Sequence, residues 1–257
     1  MKKLYNSFKT AFAMFSRIPM SQADWNEENM RYMLCFFPWI GIVIGILTIL
    51  LTNLMTNAGF NDTFSGAASA LFAILITGGI HADGFIDTCD ALSSWQERER
   101  RLEILKDPHV GAFGVICACA AAVLFASSFS QIVRDVDSVR IMAAGYVLSR
   151  TFSGIGLLTL PKANKSGTLA AFSRSADERR VMVVLILYAG GIFAAMMAVH
   201  PIKGAAAFVA GIAIFLYYRH MALTKFGGTT GDLAGWFVCV CEVSQCFILA
   251  IVTVLVH

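Results

Sequence analysis

Residues 33–57 read MLCFFPWIGIVIGILTILLTNLMTN, without one charged side chain. A bilayer needs ~20 consecutive apolar residues per helical span, so a run of this length crosses it as a helix. Six further runs have the same character: 64–80, 111–133, 141–160, 181–199, 204–218 and 233–256. Only two of the seven hold a charge, Arg150 in 141–160 and Glu242 in 233–256. Barrel strands would be shorter and would alternate, and hydrocarbon demands that every backbone N–H and C=O be paired within the protein. The expected fold is an all-α, polytopic membrane bundle of about seven spans, one domain over 1–257. The runs 64–80 and 204–218 are short, which leaves open whether they cross fully or re-enter.

Composition agrees. Of the 257 residues 57% are hydrophobic and 14% charged, against roughly a quarter charged in an average soluble domain. No cleavable signal peptide is expected, because Lys9 interrupts the first apolar stretch. Within 1–32, Leu4, Phe8, Phe12, Phe15 and Ile18 recur at helical spacing with Lys9 and Arg17 elsewhere on the wheel. That pattern predicts an amphipathic helix on the membrane surface. A net charge of +3 says little; its placement says more. With the N-terminus inside, segments 1–32, 81–110, 161–180 and 219–232 hold 16 of the 20 Lys and Arg residues, and the far side holds only Arg134, Arg140 and Lys203. This is the split that the positive-inside rule requires. The seven cysteines contain no C-x-x-C pair, and the C-x-C pairs at 117/119 and 239/241 point to different helix faces. They are read as packing residues.

The chemistry concentrates in Gly78-Gly79-Ile80-His81-Ala82-Asp83-Gly84-Phe85-Ile86-Asp87-Thr88-Cys89-Asp90-Ala91. On a helix Asp83, Asp87 and Asp90 share one stripe. Three carboxylates there repel each other, and a divalent cation is the simplest compensation; hard oxygen donors suit Mg²⁺. The plain alternative is a solvated acidic face. His81 is placed to bind metal, to relay protons or simply to sit at the interface. Gly227-Gly228-Thr229-Thr230-Gly231-Asp232 repeats the pattern, two glycines with an aspartate four residues after the second. Each copy follows a short run and emerges on the same side, a pointer to a membrane binding site. Backbone N–H groups at Gly78, Gly79, Gly227 and Gly228, with Thr230, could cradle phosphate oxygens. Glu242 and Arg150 are costly inside a span and suit a cavity or each other. Arg98, Arg100, Arg101, Glu103, Lys106, Asp107 and His109 make a basic loop able to meet phosphates, or an ordinary solvated helix.

The run GGIHADGFIDTCDA resembles the signature of the cobalamin synthase (adenosylcobinamide-GDP ribazoletransferase) family. Segments 100–115 (RRLEILKDPHVGAFGV), 148–150 (LSR), 160–172 (LPKANKSGTLAAF), GGTTGDLAG with Glu242, and FSRIP (15–19) are similar to its other motifs, so the likeness spans nearly the whole chain. Trp236 departs from it, standing where a small residue is expected. The resemblance implies one transmembrane catalytic domain, Mg²⁺ as cofactor, and a hydroxyl of α-ribazole or its 5′-phosphate attacking adenosylcobinamide-GDP. GMP leaves, and cobalamin or its 5′-phosphate forms. It also implies Asp83, Asp87 and Asp90 as metal ligands, and Asp232 as a further ligand or as the base. His81 and Lys106 join Asp232 as catalytic candidates. Substrate contacts fall on Gly78, Gly79, Arg100, Arg101, Asp107, Arg150, Gly227, Gly228, Thr230 and Glu242. The location implied is the inner membrane of a prokaryote, with the N-terminus and site loops cytoplasmic. The partners are the two substrates and membrane lipid, with room for a second copy or other pathway enzymes, and no nucleic acid. The competing readings are a CDP-alcohol phosphotransferase, which carries Ala-Arg after its D-G where Phe85 to Asp87 stand here; a polyprenyl transferase; and a cation-coupled transporter. Release of GMP separates them.

Overall fold

The computed structural model describes residues 2–21, 25–163 and 177–256. The chain forms α1 (Lys2–Phe15), α2 (Glu27–Met30), α3 (Met33–Asn57), α4 (Asp62–Thr77), α5 (Ile80–Ser93), α6 (Arg98–Ile104), α7 (Ala112–Ile132), α8 (Val136–Thr159), α9 (Glu178–Val199), α10 (Pro201–Met221) and α11 (Gly231–Leu255); a single π-turn, Ala222–Phe226, continues α10. The all-α membrane bundle is therefore what the chain forms. Among the described residues six helices are long and apolar enough to cross a membrane: α3, α7, α8, α9, α10 with its π-turn, and α11; the bent pair α4 and α5 makes a seventh if it is counted as one span.

The two short runs resolve differently. Residues 204–218 belong to a continuous helical stretch, Pro201–Phe226, of full spanning length. The apolar run looked short because Lys203 interrupts it, yet Lys203 is buried and its Nζ donates to Asp135 at 2.6 Å. Residues 64–80 break instead. α4 ends at Thr77, the Gly78–Gly79 pair turns the chain, and α5 leaves at 98° to α4. At 1.5 Å per residue the 16 residues of α4 rise ~24 Å, and α5 then crosses the first turns of α11, where Gly84 meets Asp232 and His81 meets Gly235.

Helix α8 is the central post, with α3, α9, α10 and α11 packed around it. Glycines set the closest approaches. A Cβ on Gly41 or Gly45 of α3 would stand 2.4 Å from Tyr146 O or 2.7 Å from Ala143 O of α8. Gly66 of α4 meets α7 the same way, 2.6 Å from Ala126 O. Small residues let helix backbones close up where lipid offers no hydrophobic drive between them. The N-terminal helix is amphipathic as expected, but it packs on α3: Phe8 meets Phe36 at 5.7 Å and Phe15 meets Phe37 at 4.3 Å. Leu4 is exposed, and Ile18 lies beyond the helix end.

The loops sort to two ends. At one, Arg134 pairs with Asp62 and Lys203 with Asp135, joining the turns that hold the sparse cations. At the other, Arg101 Nη1 donates to Lys225 O at 3.4 Å and Ala163 N to Thr229 O at 3.0 Å. The basic loop, the segment after α8 and the second glycine–aspartate motif thus meet at one end.

Candidate active site

The first motif is built by two left-handed residues in a row. Gly78 (φ 65°) caps α4, its N–H returning to Leu75 O, and Gly79 (φ 80°) starts α5. Side chains rarely adopt that backbone, so Gly-Gly is what lets one helix end and another begin at once. α5 then offers different faces to its surroundings. His81, Phe85 and Cys89 are buried; Asp83 is exposed, and Asp87 and Asp90 are half-buried.

The second motif reaches the same place by another route. Gly227 (φ 69°) closes the π-turn. Thr230 caps α11, its Oγ1 accepting from Leu233 N at 3.2 Å and approaching Asp232 Oδ2 at 3.4 Å. The loop is fastened to the segment after α8: Thr229 N donates to Pro161 O at 2.8 Å, and Thr229 Oγ1 meets the Tyr218 hydroxyl at 2.5 Å. A Cβ on Gly228 would stand 2.4 Å from Pro161 O. The rest of the central segment, 164–172, lies outside the described residues.

The two motifs touch. A Cβ on Gly84 would lie 2.7 Å from both Cα and O of Asp232, and one on Gly235 3.2 Å from His81 O. Glycine at 84 is therefore what allows α5 to lie on the first turn of α11. The contact sets Asp83, Asp87 and Asp232 within each other's field. Burial first, then the charges of Asp83, Asp232 and Asp90, push the Asp87 carboxyl up to about 6. Like charges this close raise a carboxyl pKa unless a cation intervenes.

Asp90 has a partner that its place in the stripe does not reveal. Its Oδ2 accepts from Gly111 N and its Oδ1 from Gly114 N, both at 2.8 Å, so it caps α7. A Cβ at either glycine would stand 2.4 Å from the carboxylate. The Gly-Ala-Phe-Gly run is thus a receptor for Asp90 and ties α5 to α7.

Of the basic loop, Arg101 faces the second motif, while Arg100 pairs with Glu103 at 2.7 Å with both side chains exposed. Lys106 is exposed. Asp107 closes its own turn, accepting from His109 N at 2.9 Å. Two arginines stand closer to the motifs than those. Arg98 lies over Gly227, where a Cβ would come within 2.1 Å of its Cζ; Arg17 lies over Gly78, where a Cβ would come within 2.4 Å of its Cγ. The basic loop pointed at Arg98, and the FSRIP segment at Arg17, but neither spacing nor charge singled them out.

His81 stands apart from the aspartates. Two residues on a helix differ by about 200°, so His81 and Asp83 face opposite sides of α5. Its ring lies near Phe15 and Phe37 with Nε2 unpartnered, and burial and the charge of Arg150 hold its pKa down to about 3. It lines an apolar cavity of about 410 Å³ beneath α5, between α4, α7 and α11. Arg150 and Glu242 also line it, joined at 2.5 Å, with Ser149 Oγ donating to the same carboxylate oxygen at 2.8 Å. The ion pair anticipated between these spans is formed. Trp236 is buried against Tyr217 of α10, ring centroids 5.9 Å apart, so its bulk is absorbed at that interface.

Among the described residues no three His, Cys, Asp or Glu side chains are grouped so that they could hold a metal ion. The donor chemistry is that of a hard divalent cation: Asp83, Asp87 and Asp232 offer carboxylate oxygens, and burial together with the neighbouring carboxylates raises the Asp87 carboxyl.

Comparison with known proteins agrees with the motifs. The family model described as cobalamin-5-phosphate synthase matches residues 7–252. The chain is 40% identical to the adenosylcobinamide-GDP ribazoletransferase of Lachnoclostridium phytofermentans over 93% of its own length and 91% of the relative's. It is 30% identical to the protein of that name from Geobacillus sp. (strain WCH70), covering 93% and 92% of the two chains. With the protein of that name from Clostridium botulinum (strain Alaska E43) the identity is 28%, over 96% and 98%. No solved structure matches the chain.

Proposed function

The chain belongs to the cobalamin-5-phosphate synthase family, and from that we propose a reaction in which α-ribazole, free or as its 5′-phosphate, is joined to adenosylcobinamide-GDP with release of GMP. The ribazole hydroxyl oxygen bonds to the cobinamide-side phosphorus, the bond from that phosphorus to the GMP oxygen breaks, and the hydroxyl proton leaves. It is a phosphotransferase-type step. The observation that carries the reading is the junction of Gly84 with Asp232, which makes one acidic site out of two separate glycine–aspartate motifs.

Asp83, Asp87 and Asp232 are the residues that would hold Mg²⁺, and Mg²⁺ when bound would neutralise diphosphate charge. Asp232 belongs with the ligands because it shares the field of Asp83 and Asp87. Asp90 anchors this set on α7. Arg101, beside the second motif, stabilises the departing GMP, and the phosphates lie against the open turn at Gly79, where a Cβ would meet nothing within 4 Å. The buried Arg150–Glu242 pair supports the site from below. The site end faces the cytoplasm of a prokaryote's inner membrane, the side that the excess of Lys and Arg marks.

The test is direct. Purified protein in liposomes, given adenosylcobinamide-GDP and α-ribazole, releases GMP in step with cobalamin, requires Mg²⁺ and releases none without ribazole. Failure to release GMP, or turnover of a CDP-alcohol instead, overturns the assignment.

A further inference from the structure

The two glycine turns share a feature that the repeat in sequence does not show: each has an arginine side chain lying where a Cβ would be. At Gly78 the would-be Cβ comes within 2.4 to 2.9 Å of Arg17 Cγ, Nε and Cδ; at Gly227 it comes within 2.1 to 2.5 Å of the Arg98 guanidinium. The first glycine of each pair is thus a seat for an arginine, while the backbone of Gly79 remains open. The arginines come from unrelated places, one after α1 and one from the first turn of α6. Arg17 is held at the turn by its own backbone, Arg17 N donating to Ile76 O at 2.8 Å.

Both side chains are exposed, and neither forms an ion pair among the described residues; Arg101, Arg179 and Arg219 form none there either, whereas Arg31, Arg100, Arg134, Arg140, Arg150 and Arg180 each do. Two cations without a carboxylate partner, one beside each site aspartate motif, stand where an anionic substrate must be held. A guanidinium offers several donors in a rigid fork that matches phosphate oxygens.

We propose that Arg17 and Arg98 are the paired cations that grip the diphosphate of adenosylcobinamide-GDP, each seated on the glycine turn that precedes a site aspartate. The inference rests on the reaction proposed above, and it assigns to these two residues the recognition of one substrate and not the other.

Arg17→Ala, Arg98→Ala, Arg17→Lys and Arg98→Lys, made in the full chain and reconstituted in liposomes, test it. Each alanine variant raises KM for adenosylcobinamide-GDP about tenfold or more, the scale of losing a charge-assisted hydrogen bond. It weakens competitive inhibition by GDP in parallel and leaves KM for α-ribazole within about twofold, since no neutral nucleoside needs the fork. The lysine variants keep charge and stem and recover only part of the affinity; they carry the test if an alanine variant fails to insert. Unchanged KM for adenosylcobinamide-GDP, an equal rise in both KM values, or a fall in kcat alone overturns the proposal. If the wild type itself releases no GMP, the reaction assignment has failed instead.

Discussion

The motifs at 78–83 and 227–232 have the same spacing and opposite constructions. In the first, two left-handed glycines end one helix and start another with nothing between, and α5 is swung 98° from α4. In the second, a π-turn, one left-handed glycine and two threonines delay the helix, and the loop is fastened to Pro161 and Ala163. The first motif is a hinge that sends a helix across the end of the bundle. The second is a fixed rim at the top of a spanning helix. An acidic helix laid across the first turn of a spanning one gives the site its two halves, and Gly84 is where they meet.

Closing that contact produces the largest effect. Gly84→Val places side-chain carbon where Asp232 Cα and O stand, forcing α5 away by an ångström or more. Transfer falls by at least ~10²-fold, because misplacement on that scale is enough to lose catalytic alignment. Gly79→Ala makes the control at an equally glycine-dependent but open position, and its loss is smaller. GMP release by membrane-inserted protein measures both, and equal losses would break the distinction between hinge and contact.

The aspartates separate next. Asp83→Asn acts on the rate and on the Mg²⁺ requirement with little change in stability. Asp90→Ala instead removes the cap of α7 and lowers stability by about 1–2 kcal/mol. Thermal midpoints in detergent, beside Mg²⁺ titrations of activity, tell the two apart. A larger Mg²⁺ shift for Asp90→Ala than for Asp83→Asn would return Asp90 to the ligands.

A smaller effect concerns pH. Asp87 carries a folded-state pKa of about 6 against an ordinary 3.8, so the folded protein holds that proton more tightly than the unfolded chain. Its contribution is greatest below about pH 4 and is lost as pH rises through 6. Without divalent cation the wild-type midpoint therefore drops over this window relative to Asp87→Asn, and Mg²⁺ shrinks the difference. A difference that ignores Mg²⁺ would place the cation elsewhere.

The spans were legible because hydropathy is written locally along the chain, and so was the positive excess on one set of loops. The true length of α10 was not, since Lys203 reads as a break until Asp135 is seen beside it at 2.6 Å. The aspartate stripe and its repeat were legible for the same local reason. What joins them was not: Gly84 on Asp232, Asp90 on Gly111 and Gly114, and Arg17 on Gly78 are contacts between distant segments. A glycine in sequence does not say which neighbour needs its missing side chain.

That Asp87 and Asp232 serve one site is tested most directly by a double-mutant cycle on the Mg²⁺ requirement. Asp87→Asn, Asp232→Asn and the double variant are titrated with Mg²⁺ at saturating substrates, reading the concentration for half-maximal GMP release. Residues sharing an ion couple, so each single change raises that concentration and the double change raises it by about tenfold less than the product of the two. An effect of the double variant equal to that product, within about twofold, would show two independent motifs and contradict the shared site.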